Sequence, residues 1–76
     1  MKTLKVDLGT IEKVKNFVTL VSRYPYDFDL VSGRYTVDAK SIMGIFSLDL
    51  SRPIQLDVHG DVSAEFEAAL KPFVTE

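Results

Sequence analysis

His59 is the only histidine in this chain of 76 residues, and there is no cysteine. Any histidine chemistry therefore falls to one side chain. It ends the alternating run Ile54-Gln55-Leu56-Asp57-Val58-His59, in phase with Gln55 and Asp57 on the polar side. That phase favours a solvent-facing residue with no catalytic role. The missing cysteines exclude a thiolate nucleophile, a disulfide scaffold and a zinc–thiolate site. One histidine, with carboxylates at no ligand-like spacing, leads us to expect no metal and no cofactor. The serines, aspartates and His59 show no triad-like arrangement. None of these residue sets points to an enzyme.

Two hydroxyls stand where chemistry and helix capping overlap. Thr10 and Ser41 each precede an apolar helical pattern, and a hydroxyl there can accept an orphan N–H of the first turn. Lys13 and Lys15 follow Thr10 in a first turn where the helix dipole disfavours cations. Thr10, Lys13 and Lys15 are candidate contacts for an anion such as phosphate or a partner's carboxylate. The plainer reading, two solvated lysines, stands beside it. After Ser41 come Ile42, Met43, Ile45 and Phe46, too many large side chains for a helix this short to bury on one face. We expect Ile45 and one of Ile42 or Phe46 to be buried, and Met43 to be exposed. An exposed apolar patch on this helix would mark a contact surface. Methionine, flexible and polarizable, suits a surface that meets several partners. Tyr24, Tyr26 and Tyr35 fit core and sheet roles, and Arg34 and Arg52 form no patch.

These residues must be positioned by seven elements. Leu4, Val6 and Leu8 alternate with polar neighbours, a half-buried strand that Gly9 breaks. Ile11, Val14, Phe17, Val18 and Val21 fall on one helical face. Pro25 disfavours helical geometry in the residue before it and ends that helix. Tyr26, Phe28 and Leu30 give a second strand, Ser32-Gly33 a tight turn, and Tyr35 and Val37 a third strand. The helix after Ser41 ends near Leu48 to Leu50. Pro53 opens a fourth strand, Ile54, Leu56 and Val58, and Gly60-Asp61 turns the chain. Val62, Phe66, Ala69, Leu70 and Phe73 give a last helix, interrupted near Pro72. The order strand, helix, strand, strand, helix, strand, helix predicts an α+β fold. Its form is an open-faced sandwich, a four-stranded antiparallel sheet with three helices on one face.

Composition narrows the class further. Hydrophobic residues make up 46% of the chain, enough for a packed core in a single domain over residues 1–76. Nine basic residues against eleven acidic give a formal charge of −2, which argues against general nucleic-acid binding. No apolar run approaches the roughly 18 residues of a membrane span, and the start of the chain alternates and carries charge, unlike a signal peptide. A cytoplasmic protein without membrane contact, a monomer or weak dimer, is the expectation.

Lys40-Ser41-Ile42-Met43-Gly44 is identical to the K-S-I-M-G signature of HPr, the small phosphocarrier of bacterial sugar phosphotransferase systems, and Ser47-Leu48 continues the pattern. The predicted element order is also that of HPr. Val37 and Asp38, and Leu56 to Gly60 with Asp61 after it, resemble the family's strand and turn positions. The chain thus resembles a divergent HPr. The resemblance implies a regulatory phosphorylation site at Ser41, modified in many Gram-positive bacteria by a dedicated serine kinase. It also implies a partner-docking helix at Ile42, Met43 and Phe46. Aligned on Gly9, the family's G-x-H-A-R-P-A reads here Gly9-Thr10-Ile11-Glu12-Lys13-Val14-Lys15. Ile11 takes the position of the phosphorylatable histidine, Lys13 that of the phosphate-holding arginine and Val14 that of the proline. An isoleucine has no nitrogen to accept a phosphoryl group.

The first functional reading is therefore an HPr-like regulatory or docking protein of the phosphotransferase system without histidyl phosphate transfer. Its expected partners are other proteins of that system or its regulation. The second is an accessory interaction module on the same fold, unrelated to sugar transport, favoured by the replaced arginine and proline. An active carrier using His59 is the weakest of the three.

Overall fold

The structure is a computed structural model, and it describes residues 2–75. Strand β1 (Lys2–Val6) leads through Gly9 into helix α1 (Ile11–Val21). Strands β2 (Asp27–Ser32) and β3 (Tyr35–Asp38) form a hairpin, followed by helix α2 (Ile42–Phe46), strand β4 (Ile54–His59), helix α3 (Ala64–Leu70) and strand β5 (Val74–Thr75). The sheet order is β3-β2-β4-β1-β5, and each described pairing is antiparallel. Gly33 turns the hairpin at φ 60° while no described non-glycine residue has positive φ, the signature of a II′ turn with glycine first.

Alternation decides which face of the sheet is covered. Register places Val6 opposite Ile54, Leu4 opposite Leu56, and Leu56 opposite Leu30, so the apolar residues of three strands share one side. That side meets Val14, Phe17 and Val21 of α1, Ile45 of α2, and Phe66 and Leu70 of α3 in one core. Burial of each such side chain contributes about 1.5–3 kcal/mol. Among the described residues no polar or charged residue is buried, so all charge chemistry takes place at the surface.

The other face is polar. Asp29 stands directly opposite both Asp38 and Asp57, a destabilising arrangement of like charges. Each carboxylate has its own local donor. Asp38 accepts from the Lys40 N–H at 2.9 Å, and Asp57 accepts from Thr3 Oγ1 and Gln55 Nε2 at 3.1 and 2.9 Å. Asp29 lies 2.9 Å from His59 Nε2.

The sheet has five strands where the sequence pattern gives four. Lys71 and Pro72 end α3, Phe73 packs edge-on against Phe17, and its carbonyl accepts the Asp7 N–H at 2.7 Å. Val74 and Thr75 then pair with Val6 and Lys5. Two residues carry no readable alternation; the free edge of β1 makes them a strand. The last helix is also shorter than its apolar spacing. Ser63 caps α3 through the Phe66 N–H, which leaves Val62 outside the helix and half-buried.

Two further expectations change. Ile11 does not join the buried face of α1 and is 63% exposed. At about 100° per residue, it lies roughly 90° from the centre of the Val14, Phe17 and Val21 stripe. In α2, Ile45 is fully buried and Met43 exposed as expected, but neither Ile42 nor Phe46 is fully buried. Ile42 is half-buried against the core and Phe46 is exposed, because a five-residue helix turns only one narrow side inward.

Candidate functional site

The candidate residues gather at the starts of two helices that pack on one another, α1 and α2. Each start is built the same way. Thr10 is extended, φ −128° and ψ 156°, and its Oγ1 accepts the Lys13 N–H at 3.1 Å. Ser41 is also extended, φ −96° and ψ 102°, and its Oγ accepts the Gly44 N–H at 3.2 Å. Both hydroxyls thus act as the helix caps their sequence positions predict.

Around α1 the charges close on themselves. Lys13 Nζ lies 2.7 Å from Asp7 Oδ2, and Asp7 Oδ1 accepts the Gly9 N–H at 2.9 Å. The hydrogen bond from the Lys13 ammonium, then that from the Gly9 N–H, hold the Asp7 carboxyl below its ordinary value. Lys15 is exposed. Of the three candidate anion contacts, Thr10 and Lys13 are joined to each other and Lys13 is taken by Asp7. Asp7 is the residue the sequence reading passed over. The signal for it is the Asp-x-Gly spacing, in which a carboxylate accepts the backbone N–H two residues on and turns the chain.

Around α2 the surface stays open. Met43 is 78% exposed and Phe46 43% exposed, and the flanking Ser41 and Ser47 are exposed too. Gly44 lets this helix approach β3. A Cβ there would stand 3.3 Å from Val37 Cβ and 3.2 Å from Ser41 Oγ, tighter than ordinary contact. The Lys40 ammonium turns away from Ser41, donating to the Tyr24 carbonyl at 2.9 Å and lying 5.5 Å from the centre of the Phe28 ring.

His59 joins neither group. It sits on the polar face of the sheet, beside Asp29 in a hollow lined also by Asp27, Phe28 and Asp38. Among the described residues no set of three or more histidine, aspartate or glutamate side chains is arranged to hold a metal ion. No described helix is long and apolar enough to cross a membrane.

The family model described as the phosphorylation site of the phosphotransferase HPr component matches residues 12–76, beginning one residue past Ile11. The phosphocarrier protein HPr of Bacillus anthracis is 30% identical, with 97% of this chain and 94% of that one aligned at a TM-score of 0.74. HPr-C-His of Thermoanaerobacter tengcongensis is 28% identical over 95% of this chain and 89% of its own, at a TM-score of 0.76. A histidine-containing phosphocarrier protein of Mycoplasma shares the fold, at a TM-score of 0.70 over 93% of this chain and 86% of its own with 13% identity. No curated protein matches the chain. The five-residue identity around Ser41, the antiparallel sheet with three helices, and the family match over residues 12–76 agree, and this chain belongs to the HPr family of the phosphotransferase system.

Proposed function

We propose that this protein is a regulatory or docking member of its family that does not carry phosphate on a histidine at the start of α1. The observation that carries the reading is the exposure of Met43 and Phe46 on a short helix capped by Ser41, while the first residue of α1 is Ile11. Ile42, Met43 and Phe46 supply the contact surface, and proteins of the phosphotransferase system or its regulation are the partners. Ser41 is the regulatory phosphorylation site, and the family's serine kinase is the enzyme that modifies it.

The physical case for a switch rests on charge and water. A phosphoserine brings about −1.5 to −2 charges. Lys40, the adjacent cation, has its ammonium on the Tyr24 carbonyl. The new charge would therefore stand beside the apolar Met43 and Phe46 without a lysine to neutralise it, and a partner that buries those side chains would have to desolvate it. Phosphorylation then weakens docking.

The test is incubation with ATP and an HPr serine kinase, followed by mass spectrometry with a Ser41→Ala control. One phosphate on the natural chain and none on the variant supports the reading. No incorporation, together with no binding to any phosphotransferase protein, overturns it. The Asp7–Lys13 pair favours a second reading, an accessory interaction module outside sugar transport, because a merely silenced carrier need not neutralise its cation. Affinity capture from the native cell separates the two, since only unrelated partners would support the module.

A further inference from the structure

We infer that β3 is a self-pairing edge, where two copies of this chain join antiparallel about a two-fold axis at Thr36. β3 ends the sheet, and its outer side meets no other strand among the described residues. The Ala39 N–H donates to the Phe28 carbonyl at 3.0 Å, which makes those two residues a bonded pair. Bonded and non-bonded pairs alternate along an antiparallel ladder. Val37 and Tyr35 therefore direct their backbone groups at Leu30 and Ser32 of β2, and Thr36 and Asp38 turn theirs outward. The Asp38 carbonyl accepts the Ser41 N–H at 3.0 Å, whereas the N–H and carbonyl of Thr36 have no backbone partner among the described residues.

Such an edge is open to any extended chain. Its side chains select a second copy. In a closed dimer the same patch faces itself, so the strand must be complementary to its own reversal. With Thr36 opposite Thr36, this outward pair exchanges two backbone hydrogen bonds. Tyr35 then stands opposite Val37, and Arg34 opposite Asp38. Threonine with threonine, aromatic with β-branched, and unlike charges are all favourable cross-strand pairs. Centring the pair on Asp38 sets two carboxylates against each other, and centring it on Val37 sets Arg34 against Lys40. The single chain leaves these groups unused. Tyr35 is 70% exposed, and Arg34 is exposed and makes no ion pair among the described residues. Asp38 already faces Asp29 across the hairpin, so an arginine arriving from the second copy relieves a like-charge contact. Ser41, Met43 and Phe46 take no part, so this dimer and the docking surface can fail separately.

The experiment follows the amide shifts and translational diffusion of the full 15N-labelled chain as its concentration rises to about 1 mM, the range where a small interface is populated. Slower diffusion is expected, with shifts centred on Arg34 to Asp38 and amide exchange at Thr36 slowed as the dimer forms. Arg34→Glu and Asp38→Arg, each with its fold verified by its own spectrum, place like charges opposite and should each weaken self-association by roughly tenfold or more. An equimolar mixture of the two variants restores unlike charges at both ends and should recover the shifts. A natural chain that stays monomeric, shifts centred on another surface, or a mixture that behaves like its separate variants overturns the proposal.

Discussion

The two helix starts at the candidate site use the same cap and end differently. Thr10 and Ser41 each accept the N–H three residues on, at 3.1 and 3.2 Å. Beyond the cap, α1 has an ion pair that ties its first turn back to the end of β1. By contrast, α2 leaves Met43 and Phe46 in water. Capping is local and cheap, and it does not decide whether a helix start is available to a partner. The next layer differs: a carboxylate just past the preceding strand pairs with Lys13 in one case, and in the other the helix is too short to bury its own apolar side chains.

The contrast is sharpest within α2 itself. Ile45→Ala should destabilise the fold by about 2–5 kcal/mol, since it empties a fully buried position. Met43→Ala, on the opposite side of the same helix, should stay within about 0.5 kcal/mol. Urea denaturation of both variants checks this. Equal losses would mean that Met43 belongs to the core and that α2 has no open side.

Next in size are the caps. Thr10→Ala should cost about 1 kcal/mol, within the usual range of roughly 0.5–2 for a lost hydroxyl cap. Ser41→Ala should fall at the low end, because it caps five residues where Thr10 caps eleven. Amide exchange distinguishes the two, with faster exchange confined to the first turn of the helix whose cap is lost.

The smallest effect is a pH effect that singles out the α1 region. Asp7 is held below the ordinary carboxylate range when folded, so its contribution is complete above that range. It disappears as pH falls from that range through the lowered value. Asp7→Asn should flatten this part of the acid-unfolding curve. Asp49 is lowered in the same direction by hydrogen bonds from Ser51, so Asp49→Asn is the matched control at the end of the α2 loop. A natural chain and an Asp7→Asn chain with superimposable acid limbs would remove the ion pair from the account.

What the sequence made legible, and what it left hidden, follows the same division. Four strands came from period-two alternation, and both caps came from residue type and position, because those signals are local. The helix on Val14, Phe17 and Val21 was visible, but its edge was not. Ile11 counts as apolar in any pattern, and only its angle from the stripe centre puts it in water. The fifth strand was hidden because Val74 and Thr75 take their conformation from the edge of β1. The Asp7–Lys13 pair was half visible. Asp-x-Gly announces the turn, but the meeting of residues six apart depends on the chain reversal between β1 and α1. The identity around Ser41 located the α2 surface at once, whereas the α1 region departs from the family pattern and had to be read from its own chemistry.

One measurement bears most directly on the claim that the α2 surface is where this protein is met. The labelled chain is titrated with an HPr serine kinase and its amide shifts are mapped, alongside a Met43→Glu, Phe46→Glu double variant whose fold is verified by its own spectrum. The account predicts shifts concentrated over residues 41–48, with binding lost in the double variant. Full-strength binding by that variant, or shifts centred on the polar face around Asp29 and His59, would contradict it.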